Sequence, residues 1–428
     1  MSMKQIFIEN LEKLGKLEFA VRMIFPDGSE FVCGDSEPDC TIHFKTEAAL
    51  TKSLTSSSLG FGEAFMAQEI DVTGNIPRVG ELGALLMKAP PTLSVRAKLK
   101  LLMGSLSRGN TIQLAGKNTA HHYDVGNDFY SLWLDEQLQY SCAYFTTPDD
   151  SLEVAQRAKM DRVCRKLRLR PGITLVDCGS GWGGLPLHAA MNYGVRVRGF
   201  TNSKEQFTFS TEKARRLGVG KEQVEFVLDD YRNIADDGVR YDRFVSIGML
   251  EHVGRANWDT FFAVVRKAVK PGGISLVHSI GRSAPRAQDP FAQKHLFPGY
   301  CFPTLTDMVR PLEQINDDVH VVDVENLRPH YALTLERWYE RFSLHRDVIK
   351  EKYGESLTRK YEIYLACGPS WFNHDGVMLF QVLISHGMNK SAPLTRDHMS
   401  EERPASSTPE PFAKAERDGH SVTSSTAQ

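Results

Sequence analysis

The chain has 428 residues, of which 41% are hydrophobic and 24% are charged, and its formal net charge is −2. This composition is typical of a soluble globular protein of two or three domains, and it excludes a general attraction to nucleic acid. No segment approaches the roughly 20 apolar residues of a membrane span, and the start has no signal-peptide pattern. The seven cysteines lack paired spacing; we therefore expect a reducing, cytoplasmic location.

Residues 1–85 alternate short β-type runs with turns, which predicts a small α+β domain. The run 18–25 stops at a Pro-Asp-Gly-Ser turn and is followed by the run 30–33, which indicates a β-hairpin. Another strand is predicted over 39–44, and a helix begins after Thr46. No catalytic cluster occurs here, so we expect a structural role.

A basic segment, residues 86–120, links this domain to the rest of the chain. No acidic residue occurs between Glu81 and Asp124, whereas six lysine or arginine residues do, interleaved with leucine and methionine. A basic amphipathic segment can lie on anionic lipid, so we expect peripheral association with a membrane. The alternative is an ordinary solvated basic helix face.

An aromatic region follows, and it includes the adjacent histidines His121 and His122. Adjacent histidines rarely share a metal, and no cysteine or acid completes a tetrahedral set, so we expect no metal site. A helix is predicted over Ser151–Leu169, closed by Pro171 and Gly172 before the next strand.

The rest of the sequence is organised around a glycine-rich loop within 174–184. A short apolar run ends at Asp177 and breaks into four glycines, after which a helical pattern resumes. Glycines between a parallel strand and a helix allow the backbone to approach a ligand closely. The loop therefore predicts a nucleotide-type cofactor site; the alternative is a glycine-rich turn without a ligand.

The loop and the next strand distinguish between cofactors. The loop lacks the spacing Gly-x-Gly-x-x-Gly that is typical of dinucleotide sites. The second strand also has no acidic residue at its end that could bind a ribose. Asp177 precedes the first glycine, as in the loop of methyltransferases that use S-adenosylmethionine, a cofactor without a pyrophosphate. S-adenosylmethionine is therefore favoured over NAD.

Strands and helices continue to alternate after the loop, which predicts a doubly wound, mostly parallel α/β sheet. Functional residues of such sheets collect at the carboxyl ends of strands, and the segments 229–231, 248–252 and 278–281 lie there. We assign residues 121–390 to one catalytic domain. The tail, 391–428, has few large apolar residues and is expected to be disordered.

Six blocks of the chain resemble, in order, the motifs of the cyclopropane fatty acid synthases, which include the mycolic acid cyclopropane synthases. The blocks are His122–Tyr130, Tyr140–Phe145, Gly181–Gly184, Gly248–Gly254, His278–Gly281 and Thr334–Phe342. The resemblance implies a Rossmann-like methyltransferase fold, and the N-terminal domain is similar to the extra domain of the phospholipid-acting members. The family usually has Gly or Val in place of Cys178 and Cys in place of Ser180, but neither exchange removes a glycine.

The resemblance implies a reaction in which S-adenosylmethionine adds a methylene to the cis double bond of an unsaturated acyl chain in membrane phospholipid. Family members hold a bicarbonate as the base, and the matching positions here are Cys142, Glu251, His278, Ile280 and Tyr331. Glu251 would accept from the bicarbonate hydroxyl, whereas His278 and Tyr331 would donate to its oxygens. The Ile280 backbone would supply another partner.

The family pattern also implies the contacts of the cofactor. Tyr140 and Ser141 would lie near its methionine part, and Thr201 with Gln206 would take the place of the missing acid. The full set is Tyr140, Ser141, Asp177, Gly179, Gly181, Thr201, Gln206, Asp230 and Tyr231.

Alternatives stay open for these residues and for the reaction. Cys142 could be a small buried hydrophobic residue, Glu251 could cap the following helix, and His278 could be a core histidine. The methylated cation could also give a methyl- or methylene-branched chain. A catalytically silent lipid-binding protein is a further alternative, which the intact residue set argues against, and a homodimer is considered as the assembly.

Overall fold

The computed structural model describes residues 2–88, 125–236, 238–315, 318–388 and 393–400. The basic segment 86–120 thus falls almost entirely outside the described residues, and so do His121 and His122. Within the described ranges, no helix is long and apolar enough to cross a membrane.

A four-stranded sheet with three helices forms the N-terminal region. Its elements are α1 (Met3–Glu12), β1 (Val21–Ile24), β2 (Glu30–Cys33), β3 (Cys40–Phe44), α2 (Glu47–Met66), β4 (Ile70–Gly74) and α3 (Pro77–Lys88). The strand order is β2-β1-β3-β4, and β1 pairs antiparallel with β2, so the predicted hairpin is confirmed. The Thr46 hydroxyl accepts from the Ala49 N–H at 3.0 Å and caps α2, as expected.

The described residues after the N-terminal region form a seven-stranded sheet and the helices around it. Its strands are β5 (Thr174–Cys178), β6 (Arg196–Thr201), β7 (Val224–Leu228), β8 (Tyr241–Ile247), β9 (Val269–Arg282), β10 (Val319–Asn326) and β11 (Val377–His386). The helices of this region are α4 (Asn127–Ser131), α5 (Leu152–Lys166), α6 (Gly184–Tyr193), α7 (Lys204–Arg216), α8 (Leu250–Val253), α9 (Trp258–Ala268), α10 (Leu305–Ile315), α11 (Arg328–Leu344), α12 (Arg346–Tyr353), α13 (Glu355–His374) and α14 (Asp397–Ser400).

The strand order of this sheet, β10-β11-β9-β8-β5-β6-β7, confirms the α/β fold class. Strands β5 to β9 are parallel, whereas β11 is antiparallel to both β9 and β10. The chain runs outward from β5 through β6 to β7 and then returns to place β8 on the other side of β5. The order therefore reverses between β5 and β8, which opens a crevice at their carboxyl ends.

The end of the described chain differs from the sequence-based expectation. Residues 393–400 were expected to belong to a disordered tail, but they include α14, whose Met399 is buried. Arg162 and Arg165 of α5 donate to the Met399 carbonyl at 3.1 and 3.2 Å, and Arg396 pairs with Asp323 at 2.8 Å. These charge-assisted contacts hold a polar segment that composition alone assigns to disorder.

Arg359 of α13 connects the N-terminal region with the region of the seven-stranded sheet. Its guanidinium donates to the carbonyls of Phe65 and Ile70 at 2.8 and 2.9 Å and to Asp71 at 2.6 Å, and it lies over the Phe65 ring. Only 12% of this side chain is exposed. One buried cation thus satisfies three acceptors of the N-terminal region.

We predict that Arg359→Met lowers the free energy of unfolding by about 3 kcal/mol, because the carbonyls of the buried residues Phe65 and Ile70 lose a charged donor and Asp71 keeps, among the described residues, only its pair with Lys45. Denaturant titration followed by tryptophan fluorescence measures this change. The matched control is Arg215→Met: 77% of the Arg215 side chain is exposed and its pair with Glu212 spans 3.9 Å. This control should change stability by less than about 0.5 kcal/mol, and equal losses in the two variants would contradict the prediction.

Candidate functional site

A pocket lies at the carboxyl ends of β5, β6 and β8, where the strand order reverses. Six of the nine predicted cofactor residues lie at strand ends or in the glycine loop or directly follow β7, Gln206 lies in α7, and Tyr140 with Ser141 precedes α5. All nine line the pocket: Tyr140, Ser141, Asp177, Gly179, Gly181, Thr201, Gln206, Asp230 and Tyr231. The structure therefore brings together the whole predicted set, and its role in binding stays a prediction.

The glycine loop has the backbone that its sequence predicts. Gly179, Gly181 and Gly183 have φ values of 93°, 54° and 80°, in the left-handed region that glycine adopts without strain. A Cβ on Gly183 would lie 2.6 Å from the Phe226 ring. Glycine therefore allows the loop to turn tightly from β5 into α6 without backbone strain, and at Gly183 it also avoids a clash with Phe226.

The end of the second strand carries no acid, as the sequence indicated. Thr201 donates from its hydroxyl to the Gln206 Oε1 at 2.9 Å, and both side chains are buried. A neutral pair thus occupies the position where a dinucleotide site would hold a carboxylate.

Three acids give the pocket its negative character. Asp177, Asp229 and Asp230 line the pocket together with one cation, Arg232, which pairs with Asp230 at 3.6 Å, and Asp177 is 3% exposed. Burial raises the pKa of Asp177 to about 7, against the opposing effect of the nearby Lys159 ammonium. Such a pocket favours a ligand that carries positive charge.

Lys159 of α5 holds the segment 139–141, which forms part of the pocket wall. Its ammonium donates to the Gln139 Oε1 at 2.6 Å and to the Ser141 hydroxyl at 2.9 Å. It is 1% exposed, and burial lowers its pKa to about 8. Lys159 therefore fixes the segment that presents Tyr140 and Ser141 to the pocket.

A second, smaller chamber adjoins the cofactor pocket, because both are lined by Tyr140, Ser141, Gly248, His252 and Phe297. Its remaining walls are mostly apolar and aromatic, contributed by Tyr300, Phe302, Leu335, Tyr364, Trp371 and Phe372. Glu251, His278, Ile280 and Tyr331 give it one polar end.

Glu251 of α8 is 2% exposed at this polar end. Its carboxylate accepts from the Ser279 hydroxyl at 2.9 Å and from the Ile280 N–H at 3.2 Å. Burial raises its pKa to about 7, although these two donors oppose the shift. The Ile280 N–H thus anchors Glu251, and the expected role of the Ile280 backbone toward a ligand stays a prediction.

His278 of β9 is 1% exposed, and only one of its ring nitrogens has a partner. Its Nδ1 lies 3.1 Å from the Gln381 Nε2. Its Nε2 has no hydrogen-bond partner among the residues that the structure describes. Burial, reinforced by the charges of Lys159 and Lys166, lowers the pKa of His278 to about 3, so the ring is neutral.

Tyr331 and Cys142 differ in their relation to the chamber. The Tyr331 ring lines it and stacks on Phe372 at a centroid distance of 4.4 Å. The Cys142 thiol is buried and directed at the Ala143 carbonyl at 3.1 Å, and burial raises its pKa. Cys142 is not among the described residues that line the chamber, and its catalytic role stays a prediction.

Sequence reasoning missed Lys159 and Gln381, which contact the predicted residues Ser141 and His278, and it missed Lys166, which contacts Gln381. A signal for the two lysines existed, since both fall at helical spacing on the apolar face of the predicted helix 151–169. Gln381 gave no signal, because it meets His278 only through the pairing of β9 with β11.

Comparison with known proteins agrees with this geometry. Residues 111–382 match the sequence profile of the mycolic acid cyclopropane synthetase family, and residues 7–83 match a domain of unknown function, DUF7884. The chain is 36% identical to the cyclopropane-fatty-acyl-phospholipid synthase of Escherichia coli K12 over 363 residues, covering 83% of this chain and 90% of that protein. It is 34% identical to a probable fatty acid methyltransferase of Pseudomonas putida, covering 86% of this chain and 93% of the relative.

The fold has relatives among solved structures as well. The mycolic acid cyclopropane synthase CmaA1, complexed with SAH and CTAB, superposes with a TM-score of 0.58 at 29% identity, covering 63% of this chain and 98% of that one. From its sequence over most of its length, its sheet topology and its glycine-loop pocket, the protein belongs to the mycolic acid cyclopropane synthetase family of S-adenosylmethionine-dependent methyltransferases.

Proposed function

We propose that the protein adds a methylene from S-adenosylmethionine to the cis double bond of unsaturated acyl chains in membrane phospholipids, forming cyclopropane rings with a bound bicarbonate as the base. The observation that carries this proposal is the junction of the two cavities. An acidic cofactor pocket opens beside an apolar chamber that ends in Glu251 and His278.

The walls of the chamber suit an acyl chain with a reacting double bond. Aromatic rings provide apolar contact for hydrocarbon, and their faces attract the positive charge that develops on the chain when it is methylated. Phe297, Tyr364 and Trp371 pack together here, with centroid distances of 5.6 and 6.0 Å to the Tyr364 ring. Such walls also exclude water, which would otherwise trap the cation.

The polar end of the chamber fits a small anion that carries a hydroxyl group. The neutral His278 offers an unpartnered Nε2 toward the chamber, and Glu251 can accept from a hydroxyl when it is ionised. Tyr331 lines the same end. When bound there, bicarbonate would supply a base that does not form a carbon bond with the cation.

The relatives support the substrate class. The Escherichia coli relative is a cyclopropane-fatty-acyl-phospholipid synthase, and CmaA1 was solved with SAH, the demethylated form of the proposed cofactor. The basic segment 86–120 supports access to acyl chains at an anionic membrane surface. The Pseudomonas putida relative, a probable fatty acid methyltransferase, favours a branched product as the second candidate.

Lipid analysis tests the proposal and separates these two products. We expect cells that express the protein to accumulate phospholipid acyl chains 14 mass units heavier than their unsaturated precursors, with the ring methylene protons shifted upfield in proton NMR. Cells that carry the vector alone provide the control. The same mass gain without ring protons would favour the branched product, and unchanged lipids would contradict both.

We predict that Glu251→Gln lowers turnover by roughly two to three orders of magnitude, as expected for a contact that matters mainly in the transition state. The amide keeps the shape of the side chain but replaces an acceptor with a group that also donates. Single-turnover kinetics with unsaturated phospholipid vesicles measure the change. Cofactor affinity, measured by calorimetry, should stay near the native value because Glu251 does not line the cofactor pocket.

Ser279→Ala is the matched control for this variant. It removes one hydrogen bond to Glu251 but leaves the carboxylate in place, so we expect a loss of less than about tenfold. A loss as large as that of Glu251→Gln would mean that anchoring, rather than the acceptor, is what the reaction requires.

Turnover should also decrease on acidification through about pH 7. Burial raises the pKa of Glu251 to about 7, so the carboxyl gains a proton below that pH and can no longer accept from a hydroxyl; each further unit should cost about tenfold. His252 and His278, with pKa values of about 4 and 3, stay neutral over this range. Saturating S-adenosylmethionine keeps the cofactor pocket filled even if the titration of Asp177 changes cofactor affinity. Adjusting the CO2 pressure keeps the bicarbonate concentration constant. A flat profile under these conditions would refute the assignment.

A further inference from the structure

The buried ring of His278 is held by residues that do not line the chamber. His278 of β9 lies directly opposite Gln381 of β11 in the antiparallel pair. Both side chains are 1% exposed, and the Gln381 Nε2 is 3.1 Å from the His278 Nδ1. Which of these two nitrogens donates depends on which way the Gln381 amide faces.

Lys166 determines the direction of that amide. Its Nζ lies 2.7 Å from the Gln381 Oε1, and an ammonium group can only donate, so the atom that faces it must be the oxygen. The Gln381 NH2 group is therefore turned toward His278. Because an NH2 group donates, the Nδ1 of His278 must accept and cannot carry the proton.

Lys166 is itself fixed from the other side. Its ammonium donates to Glu325, and Arg162 donates to the same carboxylate from its Nε at 3.1 Å. The two cations hold the pKa of Glu325 below its usual value. Lys166 is only 2% exposed, and burial lowers its pKa, but the Glu325 carboxylate opposes that shift and favours the charged ammonium.

The neutral ring of His278 has one proton, and its Nδ1 is an acceptor, so the proton resides on Nε2. That nitrogen lacks a hydrogen-bond partner in the part of the chain that the structure describes, and His278 lines the chamber. A buried N–H without a hydrogen-bond partner costs free energy. A histidine that served only as a core residue, with no ligand to bind, would never regain that free energy.

We propose that Gln381 and Lys166 are positioning residues that hold His278 in its Nε2–H tautomer, so that a buried neutral ring donates a hydrogen bond to an anion in the chamber. This inference rests on the proposed function, because the bicarbonate proposed there is the anion that would accept from the His278 Nε2–H. The contacts run from Arg162 and Glu325 through Lys166 and Gln381 to the ring, and none of these four residues lines the chamber.

Ring-nitrogen NMR of the full-length protein, labelled with 15N-histidine and free of ligand, tests the tautomer directly. We expect a pyrrole-type signal for Nε2 and a pyridine-type signal for Nδ1, assigned by their loss in His278→Asn. The buried His386, whose Nε2 pairs with the Ser275 hydroxyl at 2.7 Å, serves as an internal reference.

Two variants then test the residues behind the ring. Gln381→Met removes the donor to Nδ1, and Lys166→Met allows the amide to turn its oxygen toward the ring; in each, an Nδ1–H form should appear while the His386 signals stay unchanged. Gln223→Met is the matched control, because Gln223 is a partly buried glutamine that donates to the Ala190 carbonyl away from both cavities. It should leave the His278 signals at their native positions.

A binding measurement adds the functional consequence. The bicarbonate concentration that restores half of the activity to carbonate-depleted enzyme should increase about tenfold in Gln381→Met, which corresponds to one oriented hydrogen bond. Calorimetric affinity for S-adenosylhomocysteine should not change.

The outcomes separate the two proposals. An Nδ1–H tautomer in the native protein, or an unchanged Nε2–H signal in both variants, would overturn the inference even if turnover depends on bicarbonate. Native turnover that is independent of bicarbonate would instead overturn the proposed base, and the tautomer measured without ligand would still decide the roles of Gln381 and Lys166.

Discussion

Burial of polar side chains along one face of α5 is the constraint on which the site depends. Gln156, Lys159 and Lys166 are each at most 2% exposed, and buried polar groups need partners. Gln156 donates to the Ser141 carbonyl at 2.9 Å, Lys159 reaches the Ser141 hydroxyl, and Lys166 reaches Gln381. One helix therefore fixes a wall of the cofactor pocket and, through Gln381, the histidine of the chamber.

Placing α5 incorrectly would leave several buried charges without partners at once, and each such loss is severe. The polar face thus restricts the helix to one position more strictly than apolar packing would, since apolar contacts tolerate small shifts in register. The need to fix the position of α5 explains why Lys159 and Lys166 occur on the face of this helix that is buried. It also explains why the short α14 is ordered, because two arginines of the same helix bind its Met399 carbonyl.

The sequence was sufficient to predict the parts of the fold that follow from local pattern. The hairpin, the glycine loop and the parallel order around β5 all come from periodicity, turn residues and the rule that parallel strands share a carboxyl edge. Glu251 and His278 could be placed at that edge for the same reason. Gln381 could not, because it lies 103 residues beyond His278 and meets it only across antiparallel strands. The contact between the Ile280 N–H and the Glu251 carboxylate could not be predicted either, since no sequence rule shows which backbone donor a buried acid will use.

The two cavities bury an acid each, but the surroundings of these acids differ. Asp177 has the Lys159 cation nearby, which lowers its pKa against the effect of burial. The Glu251 carboxylate is held by neutral donors, namely the Ser279 hydroxyl, the Ile280 N–H and its own backbone N–H. A simple anion beside an ionised Glu251 would be repelled, because no lysine or arginine is among the described residues that line this chamber. An anion at the polar end of the chamber, as in the proposed function, would therefore have to accept from His278 and at the same time donate a hydrogen to Glu251. An anion that keeps one hydroxyl, such as bicarbonate, meets both requirements, whereas a fully deprotonated carboxylate meets only the first.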